Sequence, residues 1–217
     1  MSDIYTEKPW LKSYDKNVSP SLEYEEKTFA EKFGETVRKY PDKTALIYMG
    51  KEITYTELDV LSNRLAHYLV TIGLRPDDVV GLHMPNVPAH YIGIIGIQKA
   101  GCISTGLSPL LSPSEMEHQI NDSGAKAIIT VDLLFEKIAE VADTASCSTV
   151  IVTEIADFLP GVKRFLGKLL KKIPTAEIRP LAGKTVTRFL DAIGGMPSEP
   201  VGIKRTMDDT IFMMYTG

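Results

Sequence analysis

Val79-Val-Gly-Leu-His-Met84 is an apolar run of strand length that stops at Pro85-Asn86. Asn86 is placed to cap a helix whose body begins near Pro88, because a short polar side chain satisfies free N–H groups and proline fits the first turn. That helix carries Ile92, Ile94, Ile95 and Ile97, is apolar nearly all round, and is predicted to be buried. Gly93 and Gly96 would let another backbone approach it closely. Between His90 and Gly101 it is too short to span a bilayer. Cys102 to Thr105 is the next strand. Ser112-Pro-Ser-Glu115 then forms a capping box, in which the two side chains each satisfy an N–H of the helix start, and Gly124 closes that helix. Lys126 to Val131 reads as a strand, Asp132 to Ala145 as a helix, and Thr149 to Thr153 as a strand. Strands separated by helices of this length imply right-handed crossovers and an α/β fold with a mainly parallel sheet flanked by helices. Ligands of such sheets sit beyond the carboxyl ends of the strands. The strands finishing at Met84, Thr105 and Tyr215 are therefore the places to look.

Upstream, residues 1–27 are polar and irregular and are expected to form an arm over the body, anchored by Trp10. Thr28 with Glu31 opens a helix through Phe29, Phe33 and Val37 that stops before Pro41. Thr44–Tyr48 and Glu52–Thr54 read as short strands about a turn at Gly50-Lys51. Thr54 with Glu57 starts a further helix, with Leu58, Leu61, Leu65, Ala66 and Leu69 on one face and Gly73 at its end. Residues 28–75 thus form a packing region beside the parallel α/β part, 79–217.

Downstream, residues 155–180 break the rhythm. A helix over 162–173 would gather Val162, Phe165, Leu166, Leu169, Leu170 and Ile173 on one face and Lys163, Arg164, Lys168, Lys171 and Lys172 on the other. One reading is an interfacial helix on anionic lipid with snorkelling lysine stems; the other is a surface helix with solvated charges. The final stretch, Thr210-Ile-Phe-Met-Met-Tyr-Thr-Gly217, is an apolar run emptying into a Thr/Gly turn. It is either an ordinary strand end or the start of a phosphate-binding loop, where backbone N–H groups face the anion.

Composition narrows the class. With 44% hydrophobic and 24% charged residues the chain reads as soluble and globular, and a net charge of -4 argues against nucleic-acid binding by whole-surface charge. The two cysteines, Cys102 and Cys147, form no CxxC, and the histidines do not cluster, so neither a disulfide framework nor a zinc site is expected and a cytoplasmic setting fits best. No signal-peptide pattern, complete Walker A or G-x-G-x-x-G occurs, which disfavours kinase-like and dinucleotide readings. His83 at a strand end reads as a hydrogen-bonded structural histidine, His67, His90 and His118 as surface or satisfied groups, and Cys102 as a small core residue.

Ile53-Thr-Tyr-Thr-Glu-Leu-Asp59, continuing to Asn63-Arg-Leu-Ala66, resembles the first core motif of the adenylate-forming enzymes, the superfamily of acyl-CoA synthetases, luciferases and adenylation domains. Gln98-Lys-Ala-Gly101 followed by Ser108-Pro-Leu resembles the second. Asn121-Asp-Ser-Gly-Ala-Lys126 is similar to a segment common among fatty-acid members, and the stretch from Ala156 to Phe165 to an insertion in long-chain fatty acid–CoA ligases. Tyr215-Thr-Gly217 matches the opening of the family's phosphate loop. The resemblance covers roughly residues 25–217 and implies the incomplete N-terminal domain of that fold, with the rest of the large domain and a C-terminal lid domain absent. It implies ATP, magnesium and coenzyme A as reactants beside a long-chain fatty acid, and a chain inactive by itself. Thr216 and Gly217 would begin the phosphate loop, Thr105, Gly106 and Ser108 would lie on the coenzyme A side, and no catalytic or metal-binding residue is matched. Alternatives are an aryl-CoA ligase or luciferase-like enzyme, or a non-enzymatic α/β binding module. The missing partner strands imply open apolar surface and self-association, and the basic face implies peripheral membrane contact.

Overall fold

Capping boxes set where the main helices begin in the structure, a computed structural model that describes residues 3–161, 163 and 173–215. The arm holds one helical turn, α1 (Ile4–Glu7), and a 3-10 turn (Pro9–Ser13), neither with a buried residue. Trp10 does not anchor the arm to the body. It stands edge-on to Tyr5, ring centroids 6.0 Å apart, and stays 39% exposed, so its partner lies within the arm itself. The Thr28–Glu31 box starts α2 (Phe29–Lys39), and a hairpin of β1 (Thr44–Tyr48) and β2 (Lys51–Thr54) leads through the Thr54–Glu57 box into α3 (Tyr55–Thr71). The hairpin turn falls at Met49-Gly50, both with positive φ.

The rest alternates strand and helix: β3 (Val79–His83), α4 (Pro88–Lys99), β4 (Ile103–Gly106), α5 (Pro113–Ser123), β5 (Ala125–Val131), α6 (Phe135–Glu140) and β6 (Thr149–Thr153). Asn86 does not cap α4. The N-cap is Val87, which offers no side-chain acceptor, and Pro88 at the first position simply lacks the N–H that would need one. The helix expected from Asp132 to Ala145 is shorter. A 3-10 turn, Asp132–Leu134, precedes α6, and after Glu140 the chain continues in tight turns that bury Val141, Ala142 and Ala145. Beyond the sequence reading lie β7 (Thr185–Arg188) and α7 (Phe189–Ile193). β8 (Phe212–Met213) is two residues long and pairs with Ser104 and Thr105 of β4. Of the basic face expected over 162–173, Arg164, Lys168, Lys171 and Lys172 lie outside the described residues. Lys163 donates from Nζ to the Met49 carbonyl at 3.0 Å.

The main sheet has strand order β7-β6-β5-β3-β4-β8 and every pairing is parallel. Alternation along the strands divides two cores. Val80, Leu82, Ile129 and Ile151 join α3, α4 and α7 in one, while Val79, Ile128, Val150 and Val152 join α5 and α6 in the other. Both faces of the central strands are covered, which is why they read as unbroken apolar runs.

Gly96 sets the closest helix contact. A Cβ there would stand 2.9 Å from the Ser62 carbonyl oxygen and 2.9 Å from Leu65 Cδ2. Gly96→Ala must push α3 and α4 apart and is expected to lower stability by about 2 kcal/mol, read as a lower urea midpoint at unchanged slope. Gly106→Ala, with nothing within 4 Å of the added carbon, is the control and should barely move it.

Candidate active site

Topology fixes where a ligand crevice forms. α4 carries the chain from β3 to β4 on one face, and α5 returns across β3 to β5 on the other. The loops leaving the carboxyl ends of β3 and β4 therefore diverge, and the space between them is the switch point of the sheet. Of the residues expected there, Gly106 and Ser108 are exposed, with the Leu110 N–H donating to Ser108 Oγ at 3.2 Å. Thr105 is wholly buried, and its Oγ1 has no hydrogen-bond partner among the described residues. Thr105 pairs with Met213 across the β4–β8 ladder, so the chain leaves β8 beside the end of β4. Tyr215 follows, its hydroxyl donating to Asp122 Oδ2 at 2.6 Å; burial and that carboxylate push the phenol up to about 12. Thr216 and Gly217 lie outside the described residues.

A buried polar group sits at the end of β3. His83 is fully buried, and its Nδ1 lies 3.0 Å from Thr130 Oγ1. The Thr130 hydroxyl lies 3.0 Å from the His83 carbonyl and donates its single proton there. With the hydroxyl proton on that carbonyl, Nδ1 is the nitrogen that donates to Thr130, and Nε2 is left with no partner among the described residues. Burial, with the Lys137 ammonium nearby, holds the His83 pKa down to about 4, so the ring is neutral at physiological pH. Lys137 donates to the carbonyls of Pro109 at 2.6 Å and Leu111 at 3.0 Å, tying the loop after β4 to α6. Asp132, at the end of β5, is also buried. Its Oδ2 accepts from the Ala176 N–H at 3.0 Å, and burial pushes its carboxyl above the usual range. Position at a strand end was the sequence signal for His83; Asp132 holds the equivalent place after β5, where the sequence predicts only the start of a helix. Lys137 gave none, because only the fold brings it over the β4 loop. Among the described residues no group of three or more His, Cys, Asp or Glu side chains is placed to hold a metal ion, and no helix is long and apolar enough to cross a membrane.

A family model described as AMP-binding enzyme matches residues 33–217. The chain is 32% identical over 169 residues to a long-chain-fatty-acid–CoA ligase of Bacillus subtilis (strain 168), covering 78% of this chain and 30% of the relative. It is 31% identical over 217 residues to the enzyme of that name in Escherichia coli O157:H7, covering 97% and 38%. The chain thus spans between 30% and 38% of these curated relatives. The fold is similar to the crystal structure of a long-chain-fatty-acid-CoA ligase from Archaeoglobus fulgidus, with a TM-score of 0.69 at 18% identity over 91% of this chain and 36% of that one. With the family model matching most of its length, the chain belongs to the AMP-binding family of adenylate-forming enzymes.

Proposed function

We propose that this chain forms the first part of a ligase that joins a long-chain fatty acid to coenzyme A at the expense of ATP. The observation that carries the reading is the match at 31% identity, over 97% of this chain, to a relative named for that reaction. In the first step a fatty-acid carboxylate oxygen attacks the α-phosphorus of ATP, giving acyl-adenylate and releasing pyrophosphate. In the second, the coenzyme A thiol attacks the acyl carbon and AMP leaves. The first step concentrates negative charge at the phosphates, which backbone N–H groups at the end of a strand are suited to hold. In this reading those groups come from Thr216 and Gly217 onward, with Gly106 and Ser108 exposed at the neighbouring strand end and Thr105 supporting them from inside the sheet. Magnesium enters this reading as the partner of ATP. The basic segment holding Lys163, Arg164, Lys168, Lys171 and Lys172 is the candidate for peripheral contact with lipid. Phe212, Met213 and Met214, exposed at the edge of the sheet, support self-association.

The test is acid-dependent ATP–pyrophosphate exchange by a polypeptide that contains this chain together with the remaining ligase sequence. Exchange is expected to peak with long-chain acids. A peak with an aromatic acid would retain the chemistry and replace the substrate, and no exchange with any acid in a folded protein would remove the ligase reading.

A further inference from the structure

A second cleft, of about 810 Å³, opens between α2 and residues 200–211, at the end of the sheet opposite the candidate active site. Cys102, leading into β4, and Ile211, leading into β8, line it and place it at the amino ends of those strands. Its volume falls in the range of small-molecule sites. Asn63 of α3 and Gln98 of α4, 1% and 5% exposed, form its floor. Asn63 spends both Nδ2 protons within the fold, on Asp59 Oδ2 at 3.1 Å and on the Ser198 carbonyl at 2.7 Å. That fixes its amide, and Oδ1 is left with no partner among the described residues. Gln98 has none there for either Oε1 or Nε2. Folds pair the amides they bury, so two acceptors and a donor left over on one cleft mark a place for a ligand with the complementary edge.

Charge separates the floor from the rim. At the floor, Lys99 Nζ donates to Asp59 Oδ1 at 2.7 Å, to Ser62 Oγ at 2.8 Å and to the Asp59 carbonyl at 3.2 Å, so the ion pair beside the amides cancels itself. A neutral group with hydrogen-bonding donors and an acceptor suits such a floor. At the rim the lining carboxylates are already engaged, Glu31 by Thr28, Glu35 by Lys27, and Asp209 by Thr206 and Arg205. Arg38 and Lys204, both exposed, have no ion-pair partner among the described residues. The Arg38 guanidinium lies along the wall at Gly34, where an added Cβ would stand 3.6 Å from Nη1. The surplus at the rim is therefore positive and suits an anion. Val201 and Ile203, half-buried, add apolar lining.

We infer that this cleft binds an adenine nucleotide, base inward and phosphate at the rim. One edge of adenine carries an amino group beside a ring nitrogen and matches a glutamine amide, donor to acceptor and acceptor to donor. The second amino proton goes to Asn63 Oδ1, the ring lies against Val201 and Ile203, and Arg38 and Lys204 face the phosphate. A free nucleotide and coenzyme A both carry this unit. Binding needs no turnover, so it is measured on this chain whether or not the ligase reading holds. Isothermal titration calorimetry is expected to show one site for AMP, about tenfold tighter than for IMP, which has no amino group to bridge the two side-chain carbonyls. Gln98→Leu should remove that preference. Arg38→Ala/Lys204→Ala, on exposed side chains, should weaken AMP about tenfold, and it reads the same site even where the leucine variant does not fold. Coenzyme A that displaces AMP assigns the site to its nucleotide end, and failure to displace it assigns the site to the free nucleotide. Equal affinity for AMP and IMP, AMP affinity unchanged in the double alanine variant, or no binding at millimolar AMP overturns the proposal.

Discussion

Phe189→Ala is expected to cost about 4 kcal/mol, a large share of what holds a domain of this kind together. Phe189 is 0% exposed and among the largest wholly buried side chains. Its ring meets Phe158 edge-on, centroids 6.1 Å apart, in the core that α7 shares with α3 and α4. Removing it deletes the transfer energy of a ring and leaves a hole among rigid neighbours. It also frees α7, a five-residue helix with no side-chain cap, from its main attachment. Phe189→Leu keeps most of the volume and should cost nearer 1 kcal/mol. Urea unfolding followed by circular dichroism measures both. A loss below about 1 kcal/mol for alanine would mean that α7 does not dock on the sheet as described.

That this side chain matters so much, yet lies in a segment the sequence does not announce, shows where local patterns lose their force. Thr185-Val-Thr-Arg188 is an edge strand, polar at three of its four residues, with only β6 as neighbour among the described strands, so it lacks the unbroken apolar run that betrays β3, β5 and β6. Phe189–Ile193 has neither a capping box nor enough length to display a helical period. By contrast, α2, α3 and α5 are legible to the residue at their starts, because a Ser/Thr-x-x-Glu box acts within one turn and needs nothing from the rest of the fold. Asn86 and Trp10 mark the opposite case. Each has the chemistry for a local role, and each is bypassed because the chain next to it found another arrangement.

The candidate site divides the same way. The strand ends themselves were legible, since Pro, Gly, Ser and Thr follow apolar runs. Which of Thr105, Gly106 and Ser108 faces outward was not. β4 is covered on both faces, so burial gives no alternation to count, and only the packing puts Thr105 inside and leaves the other two exposed. The partner of His83 lies 47 residues away, on β5. β5 sits beside β3 only because the chain crosses back over it after β4, a property of strand order that no local spacing encodes.

His83 also makes the fold sensitive to acid, with a sign that follows from its burial. Its folded pKa of about 4 lies below the ordinary 6.5, so the unfolded chain takes up the proton first as pH falls. Above pH 6.5 the ring is neutral in both states and its contribution to stability is complete. Between 6.5 and 4 that contribution is lost at up to 1.36 kcal/mol per pH unit, and below 4 the loss levels off near 3 kcal/mol in all. Asp132 works against this, because a carboxyl whose folded pKa is raised stabilises the fold as it protonates. A His83→Gln variant keeps Asp132 and every other titrating group, so subtracting its stability from that of the wild type at each pH isolates the imidazole. The difference is expected to fall by about 3 kcal/mol from pH 7 to pH 4, measured by urea unfolding. Glutamine cannot gain charge, and whatever packing it disturbs shifts the difference by the same amount at every pH. A flat difference would mean that Nε2 finds a proton acceptor or water in the folded chain and that His83 is not held neutral by burial. A falling one ties the orphaned nitrogen at the end of β3 to the same dry environment that isolates Thr105 on the neighbouring strand.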